Sequence, residues 1–328
     1  MAPAAPPAEM QVVSQQQHRS KLDAWRHPNV LSYGQPLSIK PMTQPLRRTR
    51  TIRKHPSALV ALIVVTACAP AQTPIEPTPT PIVAPTALPP TPSIHLMWGP
   101  EPCNGTLLDR KFFVVCHAGG WRIPHWVAYH LSASDLPPAV SRNDHFRADT
   151  ELPADERAEL ADYRGSGFSR GHMAPADDFL RSFEAMDATF LLSNIAPQLQ
   201  GLNGGRWRVL ESEVQALAAA HGSIWVVTGS VFLDTNLMPQ SAMYFIGNGR
   251  VAVPTHFFKV VLCEHSSGEH EVFAFLVPHR TGLPGPTLRH VVSVDRVEEL
   301  TGLDFFAALP DTIELQLEAH VTATWPIR

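Results

Sequence analysis

The sequence has no apolar run long enough to cross a bilayer. Its most pronounced apolar stretch is ALVALIVVTA at residues 58–67, about half of what a membrane-spanning helix needs. It also has no internal repeat, which excludes a repeat architecture. Charged residues are only 17% of the chain and apolar residues 44%, a balance typical of a soluble globular protein rather than a disordered one. The 328 residues suffice for one large domain or two small ones.

Positive charge is scarce in most of the chain. Residues 1–68 hold nine Lys or Arg and two acids, which leaves 17 basic and 28 acidic residues in 69–328, a net charge of −11. A nucleic-acid-binding domain usually carries a basic surface. If the protein binds nucleic acid, a local cluster of arginines must supply that surface.

The segment before the apolar stretch is basic. Five Lys or Arg lie in residues 47–54, and the stretch itself ends at Cys68. This order is typical of a secretory signal, and VTAC at 65–68 resembles a bacterial lipobox, in which the cysteine is lipidated. An ordinary cleaved signal or a buried helix are the alternatives. We therefore expect an extracytoplasmic lipoprotein anchored to the membrane by Cys68, or a secreted protein.

The predicted boundaries follow from this segment. Because Met42 begins a signal of complete length, residues 1–41 are interpreted as a mis-annotated or disordered extension, and 42–68 as the lipoprotein signal. Residues 69–93 contain nine Pro and five Thr and cannot build a core, so 69–94 is predicted to be a linker. The globular domain is predicted at 95–328.

The remaining cysteines leave two pairings open. A disulfide between Cys103 and Cys116 is plausible outside the cytoplasm, and so is a pairing with Cys263. The group Cys263, His265 and His270 lacks a second ligand pair at zinc spacing. A strand end followed by a polar hairpin turn is the simpler interpretation of that group.

Residue patterning predicts an α+β fold. Residues 111–115 and 126–130 favour a hairpin or meander, and 224–228, 251–261 and 272–277 favour apolar strands. Residues 206–220 favour a helix that ends at Gly222. Its apolar residues at three- and four-residue spacing define one buried face: Trp207, Leu210, Val214, Leu217 and Ala218. Strands interrupted irregularly by helices indicate α+β.

Three spaced motifs carry the chemistry: YRGSGFSRGHMAP at 163–175, SNIAPQ at 193–198 and LNGGRW at 202–207 followed by Glu211. Glycines before His172 allow close backbone approach, and Arg170 can offer two hydrogen bonds to a phosphate. The side-chain oxygen of Asn203 could hold a hard cation. A histidine base, a cation and an arginine are what phosphodiester hydrolysis needs.

These motifs resemble the DNA/RNA non-specific endonuclease family of ββα-metal (His-Me finger) nucleases. Flanking segments agree over about residues 100–310: RIPHWVAY at 122–129, VTG at 227–229, VPTHFFK at 253–259 and TGL at 301–303. Several motifs in the right order make the resemblance specific. It implies a ββα-metal core with a central antiparallel or mixed β-sheet flanked by helices.

The resemblance also implies roles for single residues. His172 would be the general base that activates water, and Asn203 the direct protein ligand of Mg²⁺, with Mn²⁺ as an alternative ion. Glu211 would orient the waters around the metal, and Arg170 would steady the site or the phosphate. Four further residues would support the site or the substrate: Ser169, Asn194, Gln198 and Arg206.

One position departs from the family pattern. The usual Asp before Arg-Gly-His is Ser169 here, which keeps a hydrogen bond but loses a negative charge. A similar Ser-Arg-Gly-His occurs in the exonuclease-G-like branch of the family. A 5′ exonuclease is therefore the first alternative to an endonuclease. A nucleic-acid-binding surface lipoprotein with weak catalysis is the second.

Each of these candidate residues also has a simpler structural interpretation. His172 alone would be a structural histidine, Asn203 a helix N-cap and Glu211 a solvated helix residue. His125 and His256 are interpreted as core or rim residues, and Trp207 as core. Three arginines near the motifs could form the missing basic patch: Arg164, Arg206 and Arg208. The expected partners are DNA and RNA as substrates, the membrane through Cys68, and a second copy in a homodimer.

Overall fold

The computed structural model describes residues 93–242, 244–265 and 267–322. The chain divides into two compact units, Met1–Pro90 and Thr91–Arg328, and every described residue belongs to the second. The predicted extension, the signal and nearly all of the linker lie outside the described residues, so those boundaries stay predictions. No helix among the described residues is both long enough and apolar enough to span a membrane.

The elements of the second unit are eleven strands, five α-helices and several single turns of helix among the residues described. The strands are β1 (Thr106–Asp109), β2 (Val114–Ala118), β3 (Ile123–Ser132), β4 (Ser169–His172), β5 (Ile195–Gln198), β6 (Ser223–Val231), β7 (Phe245–Ile246), β8 (Val251–Ala252), β9 (His256–Glu264), β10 (His270–Pro278) and β11 (Val291–Val292). The helices are α1 (Leu160–Tyr163), α2 (Phe183–Ala188), α3 (Arg208–His221), α4 (Val294–Thr301) and α5 (Asp311–Ala319). This mixture of sheet and helix confirms the predicted α+β class.

A seven-stranded sheet is the centre of the unit. Its strands lie in the order β1-β2-β3-β6-β9-β10-β11, and every neighbouring pair is antiparallel. Two small two-stranded sheets, β4-β5 and β7-β8, stand apart from it. The predicted hairpin is the β2-β3 pair, although β2 begins at Val114 because Lys111, with φ 68°, lies in the preceding turn.

The other strand predictions are confirmed with one correction. Strands β6 and β10 cover the apolar segments at 224–228 and 272–277. The segment 251–261 is two strands, β8 and β9, and not one. Pro254 lies between them, and proline cannot donate to a β-ladder. Strand β9 ends at Glu264 and β10 begins at His270, so the Cys263, His265 and His270 group is a strand end and a hairpin turn.

The sheet buries a different core on each face. On one face, Trp207, Leu210 and Val214 pack with Phe257 and Phe275. On the other, Val294 and Val297 of α4 pack with Phe305, Phe258 and Trp126. The alternation of side chains along a strand produces this division. It separates α3 and the β4-β5 hairpin from α4 and α5.

Helix α3 follows its predicted pattern. All five residues of the predicted face are buried, and Gly222 ends the helix with φ 86°, a value that favours glycine. The helix is preceded by a π-helical turn, Leu202–Trp207, in which Gly205 has non-helical φ and ψ. The chain kinks at Gly205, so the turn that contains Asn203 does not continue smoothly into α3, and such irregular turns are frequent at functional sites.

The structure selects one of the two cysteine pairings. Cys103 and Cys116 form a disulfide, and Cys263 is a free, buried thiol. Burial raises the pKa of the Cys263 thiol above its ordinary range, which makes it unreactive. The disulfide joins the segment before β1 to the second strand of the sheet.

Candidate active site

The β4-β5 hairpin presents His172. Its register places Ser169 opposite Gln198 and His172 opposite Ile195. The motifs SRGH and SNIAPQ are therefore neighbours in space because they are paired strands. The helical turn that contains Asn203 and then helix α3, which contains Glu211, follow after β5, which completes a strand-strand-helix unit.

Asn194 fixes the chain just after His172. Its amide oxygen accepts a hydrogen bond from the Ala174 backbone N–H at 2.9 Å, and its amide nitrogen donates to the carbonyls of Ala174 and Thr189, each at 2.9 Å. The side chain is fully buried. Asn194 therefore acts on His172 through the backbone, as a positioning residue.

His172 is almost completely buried between two aromatic rings. Its ring centroid lies 5.2 Å from that of Phe146 and 5.0 Å from that of Phe190. Nε2 is buried and has no hydrogen-bond partner among the described residues. Burial first, and then the charges of Arg142 and Arg170, lower the pKa of His172 to about 3. The imidazole is therefore neutral at physiological pH and can accept a proton.

Arg170 stands beside this histidine at the surface. Its guanidinium carbon lies 4.0 Å from the centroid of the Phe146 ring, a cation–π arrangement that orients the side chain. Arg142 reaches the same region from the loop after β3. It pairs with Asp177 at 3.2 Å and lies 5.5 Å from the Phe190 ring. Two cations therefore flank His172, and Arg142 was not foreseen from the sequence.

Gly171 and Gln198 pack against each other across the hairpin. A Cβ atom on Gly171 would lie 2.2 Å from Gln198 Oε1, which no real contact permits. Gln198 is fully buried, and neither polar atom of its amide has a partner among the described residues. Only glycine lets the Gln198 amide come this close to the strand that carries His172.

A polar cleft of about 700 Å³ opens in front of the hairpin. Ser169, Arg170 and Asn203 line it together with two residues that the sequence did not single out, Gln200 and Arg142. The Ser169 hydroxyl donates to the side-chain oxygen of Gln200. The cleft thus brings together residues from the first and third motifs.

The arginines supply the local basic patch. Arg142, Arg164 and Arg170 line the cleft, with Asp144 as an acidic neighbour. Arg206 does not join them: its guanidinium donates to the carbonyl of Gly285 and to the Thr287 hydroxyl. The patch therefore contains Arg164, as expected, and not Arg206, for which a supporting role was predicted.

The structure also decides the remaining predictions for single residues near the motifs. Arg208 bends back to the Gly204 carbonyl at 3.4 Å and does not line the cleft. His125 and His256 are partly buried, as expected of rim residues. Burial lowers the pKa of His256 to about 4. Trp207 is fully buried and belongs to the core.

Asn203 is not a helix N-cap. It lies inside the π-helical turn, where its backbone N–H donates to the Leu199 carbonyl at 2.9 Å. Its partly buried side chain faces the cleft and forms no hydrogen bond within the described ranges. The amide oxygen of Asn203 is therefore available to a ligand.

Glu211 lies two helical turns further along, above a buried polar network. Asp178 accepts hydrogen bonds from the Tyr129 hydroxyl at 2.7 Å and the Gln215 amide at 2.8 Å. Lys259, on β9, is fully buried and donates to the Thr228 hydroxyl at 2.6 Å. Desolvation raises the pKa of Glu211, while the charge of Lys259 opposes that rise. Desolvation also raises the pKa of Asp178 to about 6.

Residue patterning did not predict this buried polar network. Tyr129 and Lys259 end two of the flanking segments, but their partners lie 49 and 31 residues away in sequence. Only the pairing of β3, β6 and β9 places them under α3. Asp178 follows His172 by six residues in a short helical turn, Ala176–Phe179, and its proximity to SRGH is the one signal that could have suggested a role.

Comparison with known proteins decides the family. Residues 100–312 match the model of the DNA/RNA non-specific endonuclease family. The chain belongs to this family. The resemblance inferred from the SRGH, SNIAPQ and LNGGRW motifs is thus confirmed, and with it the expectation of a metal-dependent hydrolase that acts on nucleic acids.

Similar proteins include fungal and mitochondrial nucleases. Nuclease C1 of Cunninghamella echinulata var. echinulata is 37% identical over 222 residues, which are 65% of this chain and 88% of that protein. Mitochondrial endonuclease G of Homo sapiens is 38% identical over 204 residues, 61% of this chain and 69% of that protein. Mitochondrial nuclease EXOG of Danio rerio is 41% identical over 227 residues, 66% of each.

A solved structure agrees with the fold. The crystal structure of the EndoG/EndoGI complex, described as the mechanism of EndoG inhibition, contains a chain 31% identical to this one. The TM-score is 0.59, and the match covers 63% of this chain and 87% of that one. This likeness supports the predicted ββα-metal core.

The donor set of this endonuclease-family cleft fits a hard divalent cation. The amide oxygen of Asn203 lines the cleft and is without a partner among the described residues. Oxygen donors are the ligands that Mg²⁺ prefers, with waters completing its octahedral shell. Sulfur and imidazole ligands, which would favour zinc, do not line the cleft in the described part of the chain.

Proposed function

We propose that the protein hydrolyses phosphodiester bonds in DNA and RNA with little sequence preference, with His172 as general base and Asn203 as the ligand of Mg²⁺. The observation that carries this proposal is the neutral, buried His172 with an unpartnered Nε2 beside Arg142 and Arg170. Family membership supports the reaction class. The arginines that line the cleft fit recognition through the phosphate backbone.

Different residues of the site bind the phosphates, accept the proton and orient water. Arg142, Arg164 and Arg170 bind the backbone phosphates, and the stacking on Phe146 holds Arg170 in place. The His172 imidazole accepts the proton of a water as the water oxygen bonds to phosphorus and the bond to the leaving oxygen breaks. When bound, the cation neutralises the charge that develops on the phosphate and the leaving oxygen. Glu211 orients water near the cation.

Substrate binding also raises the pKa of His172. A low pKa keeps His172 neutral but makes it a weak base. A phosphate that binds Arg142 and Arg170 offsets the two positive charges that lower the His172 pKa. The imidazole thereby becomes a stronger base when there is a water to activate.

The test uses the full chain with supercoiled plasmid, end-blocked linear DNA and RNA, each with Mg²⁺ or EDTA. Wild type should nick the plasmid with Mg²⁺ only. His172→Ala should lose activity on the order of 10²- to 10⁴-fold. His320→Ala, at an exposed histidine after α5, is the matched control and should keep the wild-type rate. Full activity of His172→Ala would disprove the proposed base.

The same substrates separate the alternatives. Ser169, whose hydroxyl is held by Gln200, favours the exonuclease as the second candidate. Cleavage restricted to free ends would establish that mode and exclude the endonuclease. Binding without cleavage by wild type would support the surface-binding protein. Replacing Mg²⁺ with Mn²⁺ tests the choice of ion.

We further infer that the enzyme acts outside the cytoplasm, anchored through lipidated Cys68. The basic and apolar segment before VTAC supports this, and so does the Cys103–Cys116 disulfide, since disulfides persist in oxidising compartments. In a bacterial host that processes lipoproteins, wild type should incorporate labelled fatty acid and Cys68→Ala should not. Mass spectrometry that finds residues 1–41 in the mature protein would contradict the inference. A homodimer remains our prediction for its assembly.

A further inference from the structure

A cluster of acidic side chains lies on the sheet face opposite the active site. Five carboxylates from α4, the loop after it and α5 converge there: Asp295, Glu298, Asp304, Glu314 and Glu318. They form two triads, which share Glu318. Two of the five, Glu314 and Glu318, lie beyond the residues that match the family model.

The spacing of the oxygens suits a single ion. Within each triad, one oxygen from every carboxylate lies within 4.8 Å of the others. Calcium binds oxygen at about 2.3–2.6 Å, so two oxygens on opposite sides of one ion are roughly 4.6–5.2 Å apart. One cation can therefore contact all three oxygens of a triad.

The burial of Glu318 supports an ion at this cluster independently of the oxygen spacing. Only 1% of this residue is exposed, and its Oε1 is buried with no hydrogen-bond partner. The side chain is hydrogen-bonded to Glu298, which leaves Oε1 unsatisfied, and an unsatisfied oxygen of a buried carboxylate is strongly unfavourable. Among the described residues, no Lys, Arg or His forms an ion pair with Glu318, Glu298 or Asp295. The arginine on α4, Arg296, pairs instead with Glu299 at 2.5 Å.

The ligands are held in place before any ion binds. Helix α4 packs on the sheet through Val294, Val297 and Leu300, and Glu298 Oε1 accepts the Phe305 backbone N–H at 2.8 Å. The backbone of Asp304 exchanges two hydrogen bonds with Glu101, at 2.7 and 2.9 Å. Such positioning reduces the entropy that binding a cation would otherwise remove.

We propose that this cluster binds a hard divalent cation, Ca²⁺ more tightly than Mg²⁺, and that the ion cross-links α4 to α5 independently of the active site. Several carboxylates in an irregular arrangement suit the six to eight ligands of Ca²⁺, whereas Mg²⁺ demands an octahedron and retains its waters. The ion neutralises the charge that Glu318 carries into the core. A proton shared among the carboxylates is the rival explanation.

The test measures Ca²⁺ binding to the EDTA-treated full chain by calorimetry, together with the thermal midpoint of unfolding. Wild type should bind Ca²⁺ and unfold at a higher temperature when it is bound. Glu318→Gln, which keeps the shape of the side chain, should weaken Ca²⁺ binding on the order of tenfold or more. Glu299→Gln removes an exposed carboxylate from the same helix and should bind as wild type does.

Two further variants keep the result decisive. Asp295→Asn alters a partly buried ligand in the first turn of α4 and should also weaken binding, even if Glu318→Gln fails to fold. Asn203→Ala disables the proposed active-site ligand and should retain the Ca²⁺ response. The proposal is overturned if wild type shows no Ca²⁺ response, if Asn203→Ala abolishes it, or if Glu299→Gln weakens it as much as Asp295→Asn. A midpoint that follows pH and ignores Ca²⁺ would establish the shared proton instead.

Discussion

His172 combines two properties that oppose each other. Burial between Phe146 and Phe190 keeps it neutral, and the same burial leaves Nε2 without a partner. An unpartnered buried polar atom destabilises the folded protein. The residue therefore carries an energetic cost, while the neutral imidazole that burial produces is the protonation state that a general base requires.

We expect this cost to depend on pH. The His172 pKa is about 3 in the folded protein and 6.5 as the ordinary value, so below pH 6.5 the unfolded chain binds a proton that the folded protein does not. Stability is therefore lost as pH falls from 6.5 toward 3. Between pH 7 and 5, wild type should lose about 2 kcal/mol more of its unfolding free energy than His172→Gln. Urea unfolding in EDTA measures the difference.

The control for this prediction is His320→Gln. That exposed histidine lies outside the cleft, so its replacement should leave the pH dependence of stability as in wild type. Parallel pH dependences for wild type and His172→Gln would show that the imidazole is solvated or already protonated in the folded protein.

At the scale of elements, the site depends on a hairpin, a π-helical turn and the sheet below them. The β4-β5 pairing positions the base, and the turn at Leu202–Trp207 brings Asn203 to the cleft. Strand β9 places Lys259 beneath α3, with its ammonium 5.1 Å from the Trp207 ring. Its positive charge favours the ionised form of Glu211, which is the form that can orient water near a cation.

Removing that charge should change the pH profile of cleavage. In Lys259→Met, desolvation of Glu211 is no longer opposed, so its pKa should rise further and the acid limb of the rate profile should move to higher pH. The plasmid-nicking rate at pH 7 should fall on the order of tenfold. Thr228→Val is the matched control because it removes the hydrogen-bond acceptor of Lys259 but keeps the ammonium. An unchanged profile in Lys259→Met would exclude this positioning role.

At the scale of the whole unit, the sheet separates the two proposed sites between its faces. The cleft and α3 occupy one face, and α4 with the acidic cluster occupies the other. The Cys103–Cys116 disulfide lies with the second face, where both sulfurs pack on its core. It constrains the start of the unit, whose first strand is short and largely exposed.

Loss of this disulfide should destabilise the unit as a whole. Cys103→Ala with Cys116→Ala should lower the unfolding free energy by about 3 kcal/mol, the effect expected for a loop of this length. Urea unfolding with and without reductant measures it. Reductant should destabilise wild type by a similar amount and leave the double variant unchanged. A reductant effect on the double variant would mean that another thiol pair is involved.

Patterning in the sequence was sufficient wherever neighbours along the chain decide the structure. The buried face of α3, from Trp207 to Ala218, and its end at Gly222 follow from local spacing and backbone freedom. The division of 251–261 into two strands could have been foreseen from Pro254. The turn around Asn203 could not, because an Asn before a helix is more simply a cap.

The sequence by itself determined the family, the α+β class and the candidate catalytic set, because the motif residues that serve one reaction lie close together along the chain. Tertiary structure alone decided that Arg142 joins the cleft and Arg206 does not, that Lys259 and Asp178 lie beneath Glu211, and that Glu318 meets Glu298. These contacts bring together residues from separate elements. Their proximity depends on strand order and helix packing, which no local pattern encodes.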